Sequence, residues 1–122
     1  MPRVIKSQGA RNRRAGHTFE RTLIKEFKDL GFIQCCSSRS ESKNMDDKGI
    51  DLCFTDPFQI QAKNVKTSIQ YEKTLDRMPK GKGKYNVVIH KKERKQYVIM
   101  EKGSFYEIIQ MLVSERIIDP QR

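Results

Sequence analysis

A single α/β domain, with a central mixed β-sheet flanked by helices, is predicted from three observations. Apolar residues recur at helical spacing near both ends of the chain, runs with a period of two lie between them, and 122 residues suffice for one modest core. The predicted order is helix, strands, helix, two strands, helix, without an internal repeat.

Taken in order, residues 1–15 carry Arg3, Lys6, Arg11, Arg13 and Arg14 with no acidic residue, which predicts a flexible basic N-terminal arm. The folded domain is then 16–122. From Gly16 onward Phe19, Leu23, Ile24, Phe27 and Leu30 follow a helical period, and Gly31 is placed to stop the helix. Glu20 falls about 100° round that helix from Phe19, at the margin of the apolar stripe. Phe32 to Cys36 alternates and predicts a strand, and the polar stretch from Ser37 to Lys48 predicts a loop.

Ile50, Leu52 and Phe54 alternate with Asp51 and Cys53, Thr55-Asp56-Pro57-Phe58 has turn chemistry, and Ile60 and Ala62 alternate with Gln59, Gln61 and Lys63. A hairpin bent near Pro57 is predicted, with Asp51 opposite Lys63, and Gln61 and Lys63 on one face. A helix over 68–78 follows, capped by Thr67 or Ser68 and ended by Pro79. Tyr85 to His90 and Gln96 to Met100 predict a second hairpin, and Phe105, Ile108, Ile109, Leu112 and Val113 a final amphipathic helix.

Composition narrows the function. Lys and Arg number 25 against 15 Asp and Glu, giving a net charge of +10 that favours a polyanionic partner, nucleic acid first. No stretch has the roughly 18 to 20 apolar residues that span a bilayer, and the start of the chain lacks the apolar core of a signal peptide, so a soluble, intracellular protein is expected. Cys35, Cys36 and Cys53 lack metal-ligand spacing and are odd in number, so free thiols are expected rather than a disulfide framework or a zinc site.

The sharpest chemical signal is Gly49-Ile50-Asp51-Leu52 followed by Gln61-Ala62-Lys63, with Glu20 upstream. A carboxylate, an amide oxygen and a lysine brought together on adjacent strands are the parts of a hard-cation centre for phosphodiester hydrolysis. Over roughly Gly16 to Met100 these residues resemble the PD-(D/E)XK nuclease superfamily. Arg14-Ala15-Gly16 with Glu20 and Gly31-Phe32 is similar to the opening helix of archaeal-type Holliday junction resolvases. The Gly-Ile-Asp and Gln-Ala-Lys pieces are more similar to Mrr-type restriction endonucleases, where glutamine often replaces the usual glutamate. The resemblance implies a restriction-endonuclease-like fold and a magnesium centre, with manganese as a possible substitute. It also implies that Asp51 is the central ligand, joined by Gln61, the Ala62 carbonyl and Glu20, and that Lys63 is catalytic.

Two basic clusters are expected to contact DNA: Arg11, Arg13 and Arg14 leading into the Glu20 helix, and Lys80, Lys82 and Lys84 in a glycine-spaced loop. Ser38, Arg39 and Ser40 are placed to hold a phosphate near the metal. The expected function is a structure-selective endodeoxyribonuclease acting on branched DNA such as a four-way junction. A homodimer is implied by the need to cut two symmetrical strands. The alternatives are a restriction- or transposition-type duplex endonuclease and a noncatalytic basic nucleic-acid-binding protein.

Overall fold

The computed structural model describes residues 8–121. Its first helix, α1 (Gln8–Asp29), starts eight residues before the predicted Gly16, so Arg11, Arg13 and Arg14 are helical rather than part of an arm; residues 1–7 lie outside the described part. Alanine and arginine favour the helix, and Asn64 Nδ2 ties the segment down by donating to the Ala15 carbonyl at 3.1 Å. Turns exposed on all sides carry no apolar stripe, so the helical period is silent there. The predicted stop at Gly31 is found: Phe32 N–H donates to Phe27 O and Gly31 N–H to Lys28 O, both at 3.0 Å, with Gly31 at φ +117°. The Phe27 and Phe32 rings meet edge to face at 5.5 Å, the apolar contact that closes such a C-terminal motif.

The three-stranded sheet comprises β3 (Phe58–Asn64), β4 (Tyr85–Lys92) and β5 (Lys95–Ile99) in that spatial order. β3 and β4 are parallel and β4 and β5 antiparallel, so the sheet is mixed as predicted. The period of two divides its faces. Ile60, Val87 and Ile89 pack beneath Phe19 and Leu23 of α1, whereas Val88 packs with Ile50 and with Leu75 and Met78 at α4 (Tyr71–Arg77). The sheet therefore lies between α1 and α4, and each fully buried aliphatic side chain contributes about 1.5 to 3 kcal/mol. α4 begins after the predicted caps; Gln70 occupies the cap position without a side-chain bond, and Ile69 packs into the second core.

The predicted 50–63 hairpin does not form as a ladder. β2 (Leu52–Cys53) instead pairs antiparallel with β1 (Cys36–Ser37), which overlaps the predicted 32–36 strand only at Cys36, because residues 32–35 form a turn in which Cys35 N–H donates to Phe32 O. Alternation fails at Phe54, which adopts φ +61° and is exposed while Cys53 is buried. The segment predicted as a loop holds two short helices, α2 (Ser38–Glu41) and α3 (Lys43–Asp47). Serines explain both: Ser37 Oγ accepts from Arg39 N–H at 3.2 Å and Ser42 Oγ from Met45 N–H at 3.3 Å, so residues that signal loops here start helices.

The second hairpin is tighter than predicted, with Lys92 opposite Lys95 and only Glu93 and Arg94 between the strands. The final helix, α5 (Lys102–Ser114), is also found, but it contains no buried residue. All three cysteines are free, and burial pushes the Cys53 thiol up to about 11. No helix among the described residues is long and apolar enough to cross a membrane.

Candidate metal and nuclease centre

Asp51 sits between the first residue of α2 and β3, tied to both. Its N–H donates to Ile60 O at 2.8 Å, its carbonyl accepts from Ser38 N–H at 2.9 Å, and its Oδ2 accepts from Ala62 N–H at 2.7 Å. The predicted face-to-face register with Lys63 is thus displaced: Asp51 lies against the Ile60 to Ala62 stretch. The N–H and C=O of one strand residue point to the same side. Since Ala62 N–H turns away from β4 toward Asp51, the Ala62 carbonyl opens toward that edge as well.

Asp51, Gln61 and Lys63 line one cleft of about 260 Å³. Gln61 and Lys63, two apart on β3, project from the α4 face, and Thr74 and Arg77 of α4 form the opposite wall. Gly49 forms the rim at φ +80°, where an added Cβ would stand 3.1 Å from Gln61 Oε1. Gly49→Ala should consequently destabilise the fold by about 1 to 2 kcal/mol, the cost of a left-handed conformation. It should also displace the Gln61 amide; thermal melting, with a fall of roughly 4 to 8 °C per kcal/mol in small domains, checks the first effect.

Two further carboxylates act on Asp51 here. Burial pushes the Asp51 carboxyl up to about 6, opposed by the Ala62 N–H bond; Glu20 and Asp46 push it further up and Lys63 pulls it down. Asp46 and Asp47, which line the cleft, are not among the sequence-predicted site residues. Their signal is the pair Asp46-Asp47 just before Gly49, lost because that stretch reads as loop.

The remaining predicted residues fall in several places. Glu20 is almost buried at the edge of α1 and does not line the cleft; its Oε2 accepts from Arg39 Nη2 at 2.8 Å and Nε at 3.2 Å. It acts on Asp51 through its field, and Arg39 is committed to Glu20 rather than open to a phosphate. Ser38, expected on DNA, is fully buried: its hydroxyl donates to Asp46 Oδ1 at 3.5 Å and its N–H holds the Asp51 backbone. Ser40 is turned back, donating to Ser37 O at 3.0 Å. Lys80, Lys82 and Lys84 line a separate cavity facing Glu101 and Glu107, and Lys84 is ion-paired to Asp56 at 2.6 Å. Arg11 and Arg14 border another with Thr18 and Lys91.

A metal ion would find an uneven donor set. Among the described residues no group of three or more His, Cys, Asp or Glu side chains is arranged to hold one. What the cleft offers is the Asp51 carboxylate, the Gln61 amide oxygen and the adjacent Ala62 carbonyl, all hard oxygen donors of the kind magnesium accepts while retaining several waters. Burial first, and the Glu20 and Asp46 carboxylates after it, disfavour the Asp51 charge, a cost that a divalent cation at the carboxylate would relieve, so donor chemistry and charge both fit. Comparison of the chain with protein-family models, curated proteins and solved structures finds no match.

Proposed function

We propose that this protein is a magnesium-dependent endodeoxyribonuclease of the PD-(D/E)XK kind, selective for branched DNA such as a Holliday junction. One observation carries the reading: Asp51, Gln61 and Lys63 converge in a single cleft, with the Ala62 backbone bound to the Asp51 carboxylate. The net charge of +10 supports a polyanionic substrate. Asp51, Gln61 and the Ala62 carbonyl would hold the ion, and manganese would substitute. When bound, it would polarise a phosphoryl oxygen and acidify a water. Lys63 orients the attacking water and offsets charge that develops on the phosphate oxygens, and Arg77 across the cleft adds a second cation. Glu20, held by Arg39, adds negative field that favours a cation at Asp51.

Which DNA is cut is tested by presenting a four-way junction, a linear duplex and a single strand of matched sequence in magnesium. Faster cutting of the junction is expected, and preferential cutting of the linear duplex would make the enzyme restriction-like instead.

Symmetrical cutting requires two centres, and α5 supplies a surface for pairing two copies. Phe105, Tyr106, Met111, Ile117 and Ile118 are exposed on or just after that helix, and exposed apolar side chains grouped on one element are the kind of surface that pairs with another chain. Light scattering should give twice the 14.3 kDa of one chain, and Phe105→Glu with Met111→Glu should return the monomer mass. A monomer in the unsubstituted protein would remove the dimer from this reading.

A further inference from the structure

On the α4 face of the sheet, Lys63 of the candidate centre is directly paired with His90, and His90 with Tyr97. One step further along the strands, on the same face and roughly 7 Å away, Lys92 pairs with Lys95. The His90 ring is buried, with Nε2 at 3.1 Å from the Val65 carbonyl, and so pins the chain leaving β3 against β4. That pin brings Lys66 beside Lys92, Arg94, Lys95 and Tyr97 around one shallow depression. Four cations face a single carboxylate, Glu93, and all of these residues are exposed. None of the four takes part in an ion pair among the described residues. In contrast, Lys84 and Arg39 are neutralised by Asp56 and Glu20.

We infer that Lys66, Lys92, Arg94, Lys95 and Tyr97 form a binding shelf for an unpaired stretch of a nucleic-acid strand continuing from the scissile phosphate. The cations take the backbone, whose repeated charge makes their contacts additive and salt-dependent. Tyr97, 46% exposed on the edge strand, presents a ring to an unstacked base, which a continuous duplex cannot offer. The shelf begins next to Lys63, so a strand lying on it leads into the cleft. It deepens the reading above, resting on nucleic acid as the substrate but not on its being cut.

The test is fluorescence anisotropy with a labelled four-way junction carrying a short single-stranded arm, a linear duplex and a single strand, in calcium, where binding is read without efficient hydrolysis. Combined Lys66→Gln, Lys92→Gln and Lys95→Gln should weaken binding to all three roughly ten-fold or more and lower the salt slope by about 2 to 3. Tyr97→Ala should weaken the single strand and the junction roughly five-fold or more while sparing the duplex, and Tyr97→Phe should restore it. These side chains are exposed, and unchanged melting temperatures confirm intact folds. Unchanged affinity in the triple variant, equal loss for duplex and single strand on Tyr97→Ala, or no DNA binding by the unsubstituted protein would each overturn the shelf. Shelf-dependent binding without cleavage in magnesium would uphold the shelf and remove the nuclease; cleavage indifferent to the shelf variants would do the reverse.

Discussion

Lys63→Ala should reduce DNA cleavage by roughly 10² to 10⁴ while leaving junction binding within about two-fold, because one positioned donor or proton-transfer group contributes on that order. Lys63 lines the cleft with Asp51 and Gln61, and its ammonium is among the charges acting on the Asp51 carboxyl. It is one cation on a surface of many, so its loss removes little general attraction for DNA. Single-turnover cleavage and calcium-supported binding, measured on the same preparation, separate the two effects. An equal loss of both would make Lys63 a binding or structural residue and leave the cleft without its catalytic cation.

Asp51→Asn should abolish cleavage yet make the metal-free protein more stable at neutral pH. The Asp51 carboxyl is raised from 3.8 to about 6 by burial first, with Glu20 and Asp46 adding to it. Because the folded value lies above the unfolded one, the folded state holds its proton longer. The Asp51 contribution to stability is therefore fully present below about pH 4 and is lost as pH rises through 6. The full loss corresponds to about 3 kcal/mol, and solvent reaching the cleft reduces it to about 1 to 3. Asparagine carries no charge to bury and still offers an oxygen to the Ala62 N–H. The difference in melting temperature between the variant and the unsubstituted protein should grow from pH 4 to pH 7.

Magnesium should offset that difference. A ligand that binds only the folded state stabilises it by about 2.7 kcal/mol at one hundred times its dissociation constant, and the neutral amide of the Asp51→Asn variant would lack the charge to hold it. A variant stabilised equally by magnesium would place the ion elsewhere.

Local signals in the sequence are strong where one face is apolar and one polar. The Phe19 and Leu23 stripe, the Gly31 stop and the β4–β5 pair are all readable because burial enforces their periods. Charge without an apolar partner is less informative: residues 8–15 are helical although they resemble a coil, and Ser37 and Ser42 cap helices in a stretch that resembles a loop. Pairing is the largest difference. Asp51 lies beside β3 as expected, but through its carboxylate and a single backbone bond rather than a hairpin ladder, since β2 turns to β1. Asp51, Gln61 and Lys63 are therefore legible as one site, while Asp46, Asp47 and Arg77 enter it from elements whose docking no local pattern encodes. Ser38 shows the converse: its residue type fits phosphate binding, but only the fold reveals that it is buried.

The most direct measurement is cleavage of a labelled four-way junction by the unsubstituted protein and by Asp51→Ala, each in magnesium, manganese and calcium. Cutting in magnesium and manganese, little in calcium and none by Asp51→Ala is predicted. Binding without cutting in any of these ions, or cutting that survives Asp51→Ala, would contradict the nuclease centre.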